Sequence, residues 1–296
     1  MNTTRRRLFE AMIGAGAMMS VPGAFAKNAM VPALPEKGTS VQLIRSATLR
    51  VRIAGTTFLV DPMLSKKDAW PGFDGTVNSQ TRNPMRELPF SAEKVLEGVS
   101  AVLLTHTHED HWDEAARRLI DKSMPIFVND DLAKKVVSEA GFKNVTVLDK
   151  PMMFKGVKLS PMKSQHGTEE LLKAVPLLGT TMGILLQAQG ERSVYVVGDT
   201  IWKDFVSEQL REHKPDVVVL NTGNAMMTAF PESIIMGSQD FLRAYQEAPQ
   251  AKIIAVHMDA INHCVLKRAD LRWLAKASKL DPARALIPED GEVITA

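Results

Sequence analysis

The densest chemistry in the sequence lies between residues 103 and 113, Leu-Leu-Thr-His-Thr-His-Glu-Asp-His-Trp-Asp. An apolar run passes directly into three histidines with an aspartate among them. On an extended segment, side chains two residues apart project to the same side, so His106 and His108 can grip one cation. The chain then turns, and Asp110 and His111 are presented one step on, to a second position. Neutral imidazole together with carboxylate suits Zn, Mn or Fe in a site that keeps open positions. A chain of this composition would contain His-x-His-x-acid-His by chance in roughly four cases per ten thousand. A solvated histidine cluster therefore explains the motif poorly.

Three further residues sit just past apolar runs. His166 follows Ser164-Gln165, Asp199 ends Val194-Tyr195-Val196-Val197-Gly198, and His257 ends Ile253-Ile254-Ala255-Val256. Each has a plainer reading. His166 alone is an ordinary loop histidine, Asp199 is a helix cap, and His257 is a core histidine. Two more groups stand near. Asp61, in Leu59-Val60-Asp61-Pro62, is either a strand-ending turn residue or an acceptor that orients a ligand imidazole. Asn262 and His263 follow soon after His257 and either reach a substrate or its leaving group, or pack without a role. His213 closes a helical segment and reads as bland. Trp70, Phe73, Trp112 and Trp202 either wall a pocket or fill the core.

The elements that must position these residues follow from the apolar pattern. Short β-branched runs at 41–45, 49–53 and 57–60 predict three strands divided by turns. Residues 63–90 lack a period and read as a long loop, which in a compact domain is usually functional. Strands then alternate with helices: strands at 101–105, 125–128 and 145–148, and helices at 113–121 and 131–140, with Asp113 at the first cap. Two further strands, at 152–159 and 180–187, flank His166. Alternation resumes with strands at 193–197, 216–220 and 252–256 and helices at 201–213, 239–247 and 267–278. Strands, alternation, strands and alternation again predict two similar halves packed sheet on sheet with helices outside, an α/β fold of the αβ/βα four-layer sandwich type.

Composition sets limits on function. The chain has 296 residues, 45% hydrophobic and 24% charged, enough for a substantial core. Residues 1–26 read as a secretory signal: Arg5-Arg6-Arg7, an uncharged run from Ala11 to Val21, and Ala24-Phe25-Ala26 before the cut. Thr4 to Phe9 has the form of a twin-arginine export signal, an address and not an anchor. Residues 27–40 read as a linker and 41–296 as the folded domain. The expected location is the periplasm, with no stable membrane anchor after cleavage. Removing residues 1–26 takes out three arginines and one glutamate, which leaves 33 basic and 33 acidic residues and no net charge. That excludes an electrostatic case for nucleic acid and points to a small-molecule substrate. The single cysteine, Cys264, forbids an internal disulfide and reads as a buried small hydrophobe.

His106-x-His108-x-Asp110-His111, followed in order by His166, Asp199 and His257, resembles the metallo-β-lactamase superfamily over essentially the whole mature chain. The resemblance implies two divalent metal ions, zinc foremost, with manganese or iron as the other options. It implies that His106, His108 and His166 hold the first metal, that Asp110, His111 and His257 hold the second, and that Asp199 bridges them. A hydroxide shared by the metals would be the nucleophile, with Asp110, Asp199 and His263 as the catalytic set. Asp61 is implied near the metals. Two departures matter within the family. Antibiotic-hydrolysing members commonly lack the bridging aspartate, which is present here, and Cys264 matches no ligand position. Asp61-Pro62, Gly198-Asp199-Thr200 and Val256-His257-Met258 look more like the ascorbate-6-phosphate lactonase-like (UlaG-like) branch, which resembles N-acylphosphatidylethanolamine phospholipase D. The implied activity is hydrolysis of an ester, lactone or phosphodiester. The other expectation, from a different class, is a non-catalytic periplasmic metal-binding or sensing protein.

Overall fold

A computed structural model describes Pro32 and residues 34–296, so the predicted export signal lies outside the described residues. Alternating apolar residues build two seven-stranded sheets. In the first, β1 (Ser40–Arg45), β2 (Thr48–Ile53) and β3 (Thr56–Val60) form an antiparallel meander. β3 then runs parallel to β4 (Ala101–Leu103), β5 (Ile126–Val128) and β6 (Val145–Val147). In the second sheet, β7 (Met152–Phe154), β8 (Val157–Lys163), β9 (Met182–Gln187) and β10 (Val194–Val196) are antiparallel. β10 continues parallel to β11 (Val217–Asn221), β12 (Lys252–Val256) and β13 (Ala285–Leu286). The last strand, β14 (Val293–Thr295), returns to the first sheet and pairs with β1.

Each strand splits its side chains between two cores, as a two-residue period requires. Val194, Val196, Ile254 and Val256 meet Val41, Val51, Phe58 and Leu103 between the sheets. The intervening Tyr195, Ile253 and Ala255 face outward and pack against α5 (Asp204–His213), α6 (Ser238–Glu247) and α7 (Arg268–Ala277). On the other outer face, Leu59, Val102 and Ile126 pack with α1 (Ala92–Leu96), α2 (Glu114–Leu119) and α3 (Asp131–Glu139). The remaining short helix, α4 (Glu169–Ala174), leads into a 3₁₀ turn at Pro176–Leu178. The result is the expected four layers, helix, sheet, sheet, helix.

Several boundaries differ from the sequence reading. The strand expected over 152–159 is a hairpin, because Lys155 and Gly156 both take positive φ, at 45° and 81°, and turn the chain back. The helix expected from 201 starts at Asp204, and the strand expected to 105 ends at Leu103. Ser40, assigned to the linker, is the first residue of β1 and fully buried. α1, α4, β13 and β14 carry too few residues to show a period. Trp112 is core: fully buried, with its ring 5.4 Å from that of Phe142. Trp202 packs beside α5, its indole nitrogen donating to Ser207. No helix of the described residues is long and apolar enough to cross a membrane.

Candidate metal centre

β3, β4, β8, β10, β11 and β12 all point their C-terminal ends to one edge of the sandwich, and the chemistry collects there. Asp61 follows β3, and the 106–111 motif follows β4. His166 comes after β8, Asp199 after β10 and His257 after β12. The loop after β4 turns because His111 and Trp112 both donate their backbone N–H to His108 O, at 2.9 and 2.8 Å. Asp113 then caps α2, accepting from Ala116 N at 2.7 Å, and its other oxygen accepts from Ser65 N at 2.6 Å. Asp199 is delivered by Gly198, whose φ is 73°. A Cβ there would sit 2.6 Å from Met182 O, so only glycine fits. The helix-cap reading of Asp199 is excluded, since α5 is capped at Lys203.

The seven predicted ligands are brought together, and all but His108 are buried. They form three overlapping groups: His106, His108 and His166; His106, His111 and Asp199; and Asp110, His111 and His257. Within each group the candidate ligand atoms lie within 4.8 Å of one another. Asp199 joins the two halves. Its Oδ2 is 3.3 Å from His111 Nε2, 3.6 Å from His166 Nε2 and 3.9 Å from His106 Nε2, while its Oδ1 is 3.7 Å from His257 Nε2.

The outer ring nitrogens show that this donor set fits metal ions. His166 Nδ1 donates to Ile234 O at 2.9 Å, and His108 Nε2 to Leu177 O at 3.1 Å. His111 Nδ1 donates to Asp61 Oδ2 at 2.9 Å. Thr105 Oγ1 gives its own proton to Asp61 Oδ2 at 2.7 Å and so accepts from His106 Nδ1 at 3.0 Å. A neutral imidazole carries one N–H, so each inner nitrogen presents a lone pair. His106 Nε2 and His108 Nδ1 are 3.0 Å apart, as are His111 Nε2 and His257 Nε2. The His106 and His108 lone pairs facing at that distance repel unless a proton or a metal ion lies in reach of both.

The electrostatics agree. Burial alone would lower the pKa of His111, but Asp199, Asp110 and Asp61 raise it to about 10. Burial lowers His106 well below the ordinary histidine range, and lowers His166 to about 4. Burial works against ionised Asp199 and Asp110, yet the surrounding histidines hold both carboxyls well below their ordinary pKa. The cluster therefore demands positive charge, from protons or from metal ions that displace them.

Asp61 lies where it can orient two of these rings. Its carboxylate accepts from Thr105 N, Thr105 Oγ1 and His111 Nδ1, at 2.8, 2.7 and 2.9 Å. It is 1% exposed and meets His111 directly and His106 through Thr105. Asp61→Ala is expected to weaken metal binding and kcat/KM by roughly 10–100-fold, measured on purified variants, with Asp61→Asn milder. Unchanged metal affinity would reduce Asp61 to a turn residue.

His263 is also at the site. It is 7% exposed, its Nδ1 has no hydrogen-bond partner, and Phe73 meets its ring edge-on at 5.3 Å. Burial lowers its pKa to about 4, with Asp110 opposing, so the ring is neutral near pH 7. Asn262, by contrast, is not free for substrate. Its Oδ1 accepts from Asn83 Nδ2 and Phe73 N, and its Nδ2 donates to Thr76 Oγ1 and Val77 O, which fastens the 61–90 loop beside the site. His213 ends α5, as expected.

Sequence reasoning missed Asn221, whose Nδ2 donates to Asp199 Oδ1 at 2.6 Å. It ends the apolar strand β11, the same signal that exposed Asp199 and His257. Thr105 was overlooked inside the motif itself, and Cys264 was read only as filler. Its Sγ lies 3.4 Å from His257 Nδ1.

Two facing sheets that present this constellation at one edge define a class, and residues 56–258 match the beta-lactamase superfamily domain. The chain belongs to the metallo-β-lactamase superfamily and is a metal-dependent hydrolase. It is 38% identical to the UPF0173 protein YddR of Bacillus subtilis (strain 168), over 86% of this chain and 99% of that one. Among solved structures it is similar to a possible metal-dependent hydrolase from Veillonella parvula DSM 2008, with 42% identity and a TM-score of 0.86, covering 88% of this chain and all of that one. It is also similar to the isothiocyanate hydrolase from Delia radicum gut bacteria, with 40% identity and a TM-score of 0.83, over 87% and 99% of the two chains.

Proposed function

We propose that the chain holds two divalent metal ions and hydrolyses a small molecule at an electrophilic carbon: the carbonyl of an ester or lactone, or the central carbon of an isothiocyanate. The observation that carries the two-metal reading is Asp199, which lies within 3.3–3.9 Å of ligand nitrogens on four histidines from both halves of the cluster. Bound metals would supply Lewis acidity and a water acidic enough to ionise near neutral pH. Zinc suits the donor set, and manganese or iron would as well.

The chain's own residues do the rest. His106, His108 and His166 form one ligand group, and Asp110, His111 and His257 the other. Asp61 and Asn221 fix the rings and the shared carboxylate. His263, neutral and without a partner at Nδ1, is the group available to take a proton from the attacking water and hand it on to the departing oxygen or nitrogen. Phe73 beside it offers an apolar surface for the organic part of the substrate.

Carbon is favoured over phosphorus for two reasons. The charges that act most strongly on Asp110 and Asp199 come from histidines, and no lysine or arginine hydrogen-bonds to the seven ligands among the described residues. A phosphodiester anion is commonly clamped by such side chains. The 40% identity to an isothiocyanate hydrolase supports the same choice.

The test is a panel assayed with mature protein loaded with zinc, manganese or iron: an aryl ester, a γ-lactone, alkyl and aralkyl isothiocyanates, and a phosphodiester. Turnover of at least one carbon electrophile above the phosphodiester is expected. Turnover of the phosphodiester alone would reverse the choice. A protein that holds two metals and turns over nothing would favour the non-catalytic binding or sensing role.

A further inference from the structure

Four of the five candidate ligand histidines hand their outer N–H to oxygen. His111 uses Asp61, His166 uses Ile234 O, His108 uses Leu177 O and His106 uses Thr105 Oγ1. His257 differs. Its Nδ1 has two neighbours, Ser46 Oγ at 3.4 Å and Cys264 Sγ at 3.4 Å. For nitrogen and oxygen that separation lies beyond the ordinary 2.7–3.2 Å of a hydrogen bond. Sulfur is the larger atom, and the same separation is full contact for an N–H···S bond. The thiol is therefore the geometrically better acceptor.

The surroundings are built for this contact. Cys264 is fully buried and its backbone N–H donates to Ile261 O at 3.2 Å. Behind it lies Gly223. A Cβ at that position would stand 2.7 Å from Cys264 Sγ and 2.2 Å from His257 O, so any other residue would drive the two apart. The His257 backbone N–H donates to Ser46 O at 3.0 Å, which fixes the ring's base while φ is 63°. Backbone, glycine and thiol together leave the ring one orientation, with Nε2 toward Asp110 at 3.4 Å and His111 at 3.0 Å.

We infer that Cys264 is a positioning residue of the second metal site: its sulfur accepts the Nδ1–H of His257 and so fixes the tautomer and aim of that ligand. The inference rests on the two-metal reading above. A thiol is a weak acceptor, and what the contact supplies is the direction of the ring. It follows that the site of Asp110, His111 and His257 depends on the thiol, and the site of His106, His108 and His166 does not.

The test compares the mature wild type with Cys264→Ser and Cys264→Ala. Each is titrated with Zn²⁺ against a chromophoric chelator, and its Co²⁺ form is examined by visible absorption. The wild type is expected to take up two zinc ions. Cys264→Ala should keep the first at wild-type affinity and bind the second about 10-fold or more weakly, with a changed Co²⁺ spectrum. Cys264→Ser, whose shorter C–O bond leaves its oxygen farther from Nδ1 than the sulfur, should restore only part of the loss. Melting temperatures of the metal-free forms report the packing effect of the smaller side chains separately. Two-zinc binding by Cys264→Ala at wild-type affinity would overturn the inference, whatever its melting temperature. Equal loss in the Ser and Ala variants would also overturn it, in favour of packing alone. A wild type that takes up fewer than two zinc ions would instead overturn the two-metal reading, and the inference with it.

Discussion

Asp199→Ala is expected to lower kcat/KM by roughly three orders of magnitude or more and to release at least one metal ion, while the circular dichroism of the fold persists. Three causes combine. Among the described residues, Asp199 is the one carboxylate with an oxygen near His106, His111 and His166 and the other facing His257. Without it, two cations held a few ångströms apart would repel with only solvent between them. Asn221 would also lose its acceptor inside the site. The fold should survive because its main core lies between the sheets, built by residues such as Val51, Phe58, Leu103, Ile184 and Val219, away from the loops. Asn221→Ala, which leaves the carboxylate in place, should cost far less. If Asp199→Ala keeps both metals and near-normal turnover, the bridging role is wrong.

Metal removal is expected to have the second large effect. Dialysis against a chelator should abolish hydrolysis, and one of zinc, manganese or iron should restore it. Stability should fall with it. A ligand present at 100–1,000 times its dissociation constant stabilises the folded state by about 3–4 kcal/mol. For a domain of this size that corresponds to a drop in Tm of roughly 5–15 °C on stripping. The sign follows from the geometry: His106 and His108 lone pairs facing at 3.0 Å and buried carboxylates are unfavourable without positive charge among them. Calorimetry with and without chelator measures it. An unchanged Tm together with unchanged turnover would show that the cluster is not a metal centre.

Much of this was legible in the sequence because the site is assembled by strand ends. A buried strand reads as an apolar run, and a polar residue that ends one is conspicuous. That rule located His106, His166, Asp199 and His257, and it also covers Asn221. What it could not show is which groups touch across the sequence. Asp61 stood equally as a turn residue and as a partner, and only the contact with His111 decides. Asn262 looked available for substrate, yet its hydrogen bonds are spent on residues 73–83, nearly two hundred positions away. Cys264 looked like a small hydrophobe, and burial alone would have left it so. Its meaning depends on Gly223, His257 and Ser46, which arrive from three separate segments. The hairpin at Lys155-Gly156 was hidden for a local reason: two residues with positive φ suffice to reverse the chain, and the apolar pattern runs on across them.

A two-metal centre is tested most directly by the metal content of the purified protein. Protein stripped with chelator, reloaded with excess Zn²⁺ and freed of unbound metal should contain two zinc ions per chain by elemental analysis, and the Asp199→Ala variant fewer. One zinc ion per chain in the wild type, even under excess metal, would contradict the claim.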